Sequence, residues 1–164
     1  MYNHILVPMD GSSISEEALL EVRRLLDKGA KITLVTAVDV PELPAHGFDM
    51  YGGIVLSDSE TQRQMEDWAK GYLENVANTL IGEGFEVKKV VEIGDPAKVI
   101  ADTATMEHVD AIVMTTHGRS GVSRWLFGSV TNKVLNVSSC PVLVVPSKEK
   151  LKLLAGTSAE EFYG

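Results

Sequence analysis

The sequence of 164 residues has a single cysteine, no surplus of basic charge and few aromatic residues. Each shortage excludes something. With Cys140 alone, an internal disulfide and a cysteine-rich metal site are both ruled out. Cys140 directly precedes the run Pro141-Val142-Leu143-Val144-Val145, and nothing beside it in sequence would lower a thiol pKa, so a buried structural thiol is expected. No apolar run approaches the roughly 20 residues that cross a bilayer, which speaks against a membrane-spanning segment. The net charge is −8, so there is no basic stripe to displace phosphate counterions and no nucleic-acid partner is expected. Lys88-Lys89 and Lys148 to Lys152 are the basic clusters, both read as solvated surface. Met1-Tyr2-Asn3-His4 runs into an apolar stretch without a basic region or a small-residue cleavage site, and the expected location is cytoplasmic. Metal-ligand spacing is also lacking among His4, His46, His108, His117 and the carboxylates.

What is present is an ordinary globular composition, 45% apolar and 23% charged, enough for one core. His4 to Pro8 is a short apolar run closed by a turn at Met9-Asp10-Gly11, and reads as a strand. A helix follows, with Ser13 and Glu16 spaced as a capping box, Ala18, Leu19, Val22, Leu25 and Leu26 as its apolar face, and Gly29 as its stop. Lys31 to Val38 is a second strand. Pro41 to Asp58 has no period and reads as a long loop. From Ser59 a helical stripe of Met65, Trp68, Ala69, Tyr72, Leu73, Val76, Ala77 and Leu80 extends to Gly82 and Gly84, with Asp58 or Ser59 as its cap. Phe85 to Glu92 alternates like a strand with one face partly exposed. Gly94-Asp95-Pro96 then turns into a helix with Pro96 at its first position. Ala111 to Met114 and Pro141 to Val145 are the remaining strands, separated by a glycine-punctuated loop and a helix from about Ser129 to Asn136.

The resulting order, β-α-β-α-β-α-β-α-β with continuously apolar strands, predicts an α/β fold: an open five-stranded parallel sheet with helices on both faces. In such sheets ligands sit beyond the carboxyl ends of the strands, where strand order reverses. The segment after the fourth strand, Thr115-Thr116-His117-Gly118-Arg119-Ser120-Gly121 through Gly128-Ser129-Val130-Thr131, is the richest in chemistry. Gly118, Gly121 and Gly128 allow close backbone approach, and Gly128-Ser129 opens a helix whose N–H groups and dipole favour an anion. The hydroxyls of Ser129 and Thr131 would add hydrogen bonds, and Arg119 and Arg124 would screen charge. An alternative stands beside this one: the glycines serve a tight turn and a helix cap only. The segment matches neither the Walker A loop nor the dinucleotide fingerprint.

Four stretches together resemble the universal stress protein family over Met1 to about Pro146: Ile5 to Ser12, Gly94-Asp95-Pro96-Ala97, the loop segment, and Cys140 to Val145. The resemblance implies a Rossmann-like, doubly wound domain of the adenine nucleotide alpha hydrolase-like kind over 1–146, followed by a tail over 147–164 that is either a short helix or loose. It also implies an ATP site, with AMP or ADP as alternatives and Mg2+ as a companion ion. Pro8 and Asp10 would lie against adenine and ribose, Ala37 beside the adenine, Thr115, Thr116, His117, Gly118, Arg119, Ser120 and Gly121 around ribose and phosphates, and Ser129, Val130 and Thr131 at the phosphates. ATP-binding members carry G-x-x-G, nine residues, then G-S or G-T. Gly118, the nine-residue spacing and Gly128-Ser129 match, while Thr115 stands where the first glycine belongs.

The resemblance further implies a stress-response regulatory or switch protein, at most a slow ATP hydrolase, and a homodimer formed through the edge strand Pro141–Val145. A dimeric interaction module that binds no nucleotide is the second expectation. A small adenylate-forming enzyme ranks last, because Pro8 to Ser12 carries no catalytic His pair or Lys.

Overall fold

A computed structural model describes residues 2–39, 58–116 and 128–148, with the side chains of residues 58 and 59 left aside. The elements are β1 (His4–Pro8), α1 (Ser13–Glu16), α2 (Ala18–Leu25), β2 (Lys31–Val38), α3 (Asp58–Gly82), β3 (Glu86–Ile93), α4 (Pro96–Met106), β4 (Ala111–Thr115), α5 (Ser129–Val137) and β5 (Val142–Val145). The five strands form one sheet in the order β3-β2-β1-β4-β5. Every pairing is parallel.

The strands alternate two apolar sets. Ile5, Val7, Ile32, Leu34 and Val113 face one core, with Leu19 and Val22 of α2 and Leu73, Ala77 and Leu80 of α3. Leu6, Val35, Ile112 and Met114 face the other, with Ala97, Ile100 and Ala104 of α4 and Val134 of α5. Helices therefore cover both faces of the sheet, which is why β1 reads as a continuous apolar run instead of an alternating one. β3, at one edge, is largely exposed.

Several local expectations are corrected. The expected single helix after β1 is broken at Glu17, where N–H groups reach back three residues, Glu17 to Ile14 (3.0 Å) and Leu20 to Glu17 (3.1 Å). Its cap is Ser12, not Ser13: Ser12 Oγ accepts the Ser15 N–H at 3.1 Å. The helix stops at Leu25, and Gly29 instead forms the following turn at φ +86°, its N–H donating to Gly84 C=O at 2.8 Å. Met65 and Trp68 extend past the core: they are 43% and 50% exposed, whereas Ala69, Leu73, Ala77 and Leu80 are buried. Cys140 is half-buried, with Ser138 Oγ 3.6 Å from its sulfur. Pro96 does open α4, and Asp95 caps it by accepting from Ala97 and Lys98 N–H groups, both at 3.1 Å. The loop expected over Pro41 to Asp58 is shorter at its end, since Asp58 already opens α3; residues 41–57, like the tail beyond Lys148, lie outside the described residues.

Candidate functional site

β1 leads to β2 on one side of the sheet, while β4 and β5 extend the other side. The strand order therefore reverses between β1 and β4. Their carboxyl ends diverge, and the crevice between them holds a cavity of about 260 Å3.

The floor is set by β1. Met9 N–H donates to Val35 C=O (2.8 Å) and Thr36 Oγ1 donates to Met9 C=O (2.9 Å), fixing the chain as it leaves the sheet. Asp10 then turns it. Its Oδ1 accepts the Ser12 N–H (2.9 Å) and the Ser12 hydroxyl (2.6 Å), and Gly11 takes φ +80°. The turn function expected of Asp10 is thus present, and its half-buried carboxylate also lines the cavity. Pro8, Val35 and Ala37 continue that wall, with Met114 and Thr115 from the end of β4.

The opposite rim is the start of α5. Gly128 N–H donates to Thr116 C=O at 2.7 Å, bringing the returning chain back onto the end of β4. The helical ladder begins with Asn132 N–H to Gly128 C=O (2.9 Å), so the N–H groups of Ser129, Val130 and Thr131 have no acceptor within the helix. Gly128 is the N-cap and has no side chain with which to cap them. Uncapped N–H groups at a positive dipole end favour an anion. Thr131 plays a part different from the expected one. It is 3% exposed, and its hydroxyl donates to Thr115 C=O (3.1 Å) and Thr116 C=O (3.4 Å). Its side chain therefore clamps α5 to β4 and has no proton to offer a phosphate.

The cavity has two chemical halves. Val35, Ala37, Pro96, Ile100 and Met114 are apolar, whereas Asp10, Ser15, Ser129 and Thr131 bring polar groups. An apolar slot beside a carboxylate and a helix N-terminus suits a flat base, a sugar and a phosphate in that order. Near the rim, Lys133 of α5 donates to Asp95 Oδ2 (2.8 Å). That bond, with backbone N–H donors from Lys98 and Ala97, holds the Asp95 carboxyl below its ordinary value. Among the described residues, no group of three or more His, Cys, Asp and Glu could hold a metal ion.

Of the expected site residues, Pro8, Asp10, Ala37, Thr115, Gly128, Ser129, Val130 and Thr131 all line this one cavity. Thr116 is not among the lining residues; it is 3% exposed, and among the described residues its Oγ1 has no hydrogen-bond partner. His117, Gly118, Arg119, Ser120 and Gly121 lie outside the described residues, as does Arg124. The sequence reading missed Met9, Ser15, Val35, Pro96, Ile100 and Met114. Pro96 and Ile100 carried a usable signal: they are one turn apart at the start of the helix after β3, whose N-terminus must open at the carboxyl end of a parallel sheet. Thr115 takes no left-handed backbone conformation, since His108 is the one non-glycine residue at positive φ among the described residues. The effect of threonine in place of the glycine that the resemblance leads one to expect is therefore one of space, not backbone strain.

Comparison with known proteins bears on the family and the fold. The model of the universal stress protein family matches residues 1–146. The universal stress protein MJ0577 of Methanocaldococcus jannaschii is 32% identical over 157 residues, covering 90% of this chain and 97% of the relative. Its solved structure superposes with a TM-score of 0.77 at 33% identity, over 90% of this chain and 98% of that one. Two more distant structures share the fold. One is a family protein of Arabidopsis thaliana with AMP bound (17% identity, TM-score 0.61, 88% and 92% covered). The other is a universal stress protein in complex with cAMP (18%, 0.57, 88% and 97%). The fold is of the adenine nucleotide alpha hydrolase-like kind. With the family model spanning residues 1–146 and a relative at 32% identity along nearly its whole length, this chain belongs to the universal stress protein family.

Proposed function

We propose that the β1/β4 crevice binds an adenine nucleotide, ATP foremost, and that the chain works as a nucleotide-dependent switch in a stress response. The observation that carries this is the single cavity in which an apolar slot, the Asp10 carboxylate and the uncapped start of α5 meet. Adenine belongs against Val35, Ala37, Ile100 and Met114, the ribose near Asp10, and the phosphates at the N–H groups of Ser129 to Thr131. His117 to Gly121 follow Thr116 directly in the chain and would complete the phosphate loop. The family relatives with bound AMP and cAMP support an adenine ligand. Mg2+ would accompany the phosphates, and Asp10 is the carboxylate available among the described lining residues.

Native mass spectrometry of freshly purified protein, followed by ATP titration, tests the reading. A dimer that stays ligand-free at millimolar ATP would overturn it. Gly128→Ala localises the site. Gly128 has φ −55° and ψ 156°, which alanine adopts freely, so the variant folds while its methyl crowds the phosphates. Affinity for ATP should fall about tenfold or more, ~1.4 kcal/mol, with little change in Tm. Unchanged affinity would move the nucleotide elsewhere.

A second reading, a homodimeric interaction module, rests on β5. This apolar strand lies at the sheet edge with Leu143 39% exposed. An unpaired edge of that kind accepts a strand from a second copy. Dimerisation is compatible with nucleotide binding, and ligand occupancy separates the two readings.

A further inference from the structure

On the face of α2 and α3 turned away from the sheet lies a second depression, open to solvent, of about 440 Å3. Glu16, Glu17, Leu20, Tyr72, Val76 and Lys148 are among its lining residues. Its lining mixes the apolar Leu19, Leu20, Tyr72 and Val76 with polar and charged side chains, Arg23 and Asn75 among them. Leu20 is 47% exposed, and Tyr72 and Val76 are half-buried. Trp68, 50% exposed, stacks on Tyr72 with ring centroids 5.6 Å apart and planes 4° from parallel. Tyr72 packs in part against the core on that face of the sheet, and its stacking partner Trp68 is the more exposed ring. The acidic rim is organised: Tyr72 Oη donates to Glu16 Oε1 (3.0 Å), and Glu17 Oε2 accepts the backbone N–H of Lys148 (2.7 Å).

That last bond fixes where the chain goes. After β5 the backbone crosses to this face, buries Ser147 (5% exposed), and enters the depression at Lys148. The residues that follow are Glu149-Lys150-Leu151-Lys152-Leu153-Leu154. They combine three leucines with two lysines, complementary to Leu20, Tyr72 and Val76 beside the carboxylates of Glu16 and Glu17; Arg23, also in the lining, is paired with Glu83 (2.7 Å). Reach is not limiting: Val76 to Trp68 is eight residues of helix, roughly 12 Å. Six residues of chain cover about 9 Å as helix and about 20 Å extended. A tethered segment is present at an effective concentration in the millimolar range, so modest contacts suffice to hold it.

We propose that the segment following Lys148, Glu149 to Leu154, docks in the groove between α2 and α3 and covers Leu20, Trp68 and Tyr72. The groove is a binding surface for the chain's own C-terminal segment, independent of whether the crevice takes a nucleotide. Its occupant is basic and leucine-rich.

The test is cysteine trapping in the full chain, with Cys140→Ser removing the native thiol. Leu153→Cys is paired with Asn75→Cys in the groove, and in a control with Asp102→Cys on the exposed side of α4. In a glutathione redox buffer the groove pair should form an intramolecular disulfide about tenfold faster than the control pair, at a rate independent of protein concentration. Equal rates for the two pairs would overturn the proposal, and so would disulfides formed only between chains, which would give the groove to a second copy. A second readout needs no new thiol. With Trp125→Phe leaving Trp68 as the one tryptophan, Leu153→Asp with Leu154→Asp should increase acrylamide quenching of Trp68. Unchanged quenching would overturn docking over the Trp68–Tyr72 pair.

Discussion

Thr115 occupies the last position of β4, 6% exposed, where the family resemblance leads one to expect glycine in an ATP binder. Two physical effects of that side chain pull in opposite directions. As a β-branched residue ending a buried strand it supports the fold, and glycine there would cost about 0.5–1 kcal/mol in backbone entropy, plus a similar amount for the lost burial. As a wall of the crevice it fills space that a ribose or phosphate would use. Thr115→Gly should therefore lower Tm while tightening ATP binding, by up to about tenfold, ~1.4 kcal/mol. Isothermal titration beside a thermal melt reads both signs. A variant that loses stability with no gain in affinity would place the ligand away from Thr115. Thr131 shows the limit of reading residues one at a time. Its hydroxyl looked from sequence like a phosphate donor, but the pairing of α5 with β4 turns it toward the carbonyls of Thr115 and Thr116.

At the scale of elements, the pole of the sheet opposite the crevice is held by charge. Glu107, just after α4, accepts from Lys88 of β3 (2.6 Å) and Lys31 of β2 (3.3 Å), and its side chain is 17% exposed. Asp110 accepts the N–H groups of Asn3 (2.6 Å) and His4 (2.9 Å), joining the starts of β1 and β4. The hydrogen bond from Lys88, first among its causes, holds the Glu107 carboxyl below its ordinary 4.5, and the backbone donors Asn3 and His4 do the same for Asp110. A carboxyl whose folded pKa is depressed stabilises the protein above its unfolded pKa, and that contribution fades as pH falls through the folded value. His4 adds in the same direction. Burial first, then Lys31, lowers its imidazole from 6.5, so the protein loses stability as pH drops below 6.5 and the unfolded chain takes up the proton. Urea unfolding should therefore show stability declining below 6.5 and further through the carboxylate range. Glu107→Gln should cost about 0.5–1 kcal/mol at neutral pH, and the difference should shrink as acid protonates Glu107 and leaves it as uncharged as the glutamine. A penalty that persists in acid would make Glu107's role one of packing.

Elements were the most legible part of the chain. β1, β2 and β4 are apolar runs too short for helices, and the Asp95-Pro96 start of α4 follows from capping chemistry alone. What the sequence left open depends on relations between elements. Ser12 outcompetes Ser13 as a cap because the Asp10 turn orients its hydroxyl, and Met65 and Trp68 share a helical face with the core yet lie past the sheet that would bury them. The helix start at Pro96 was legible at the carboxyl end of the sheet, but that Pro96 and Ile100 wall this particular crevice also required knowing that α4 packs beside α5.

For the molecule as a whole, the topology separates the proposed ligand crevice from the proposed dimer edge. The crevice opens between β1 and β4, while β5 pairs with β4 through Ile112–Val142 to Thr115–Val145 and presents its other side outward. Leu143 sits opposite Val113 in that register, and the residue is 39% exposed. A charge at this position meets water in a monomer but would be buried and unpaired against a second copy, costing several-fold more than the loss of apolar area alone. Leu143→Asp should therefore weaken self-association by at least about tenfold, ~1.4 kcal/mol, in sedimentation velocity, with ATP affinity per chain nearly unchanged. If dimers persist at the same strength, the interface lies on another face. Should ATP binding fall together with dimerisation, the crevice and the edge would be one functional unit, linked through the β4–β5 pairing that ends at Thr115 and Val145.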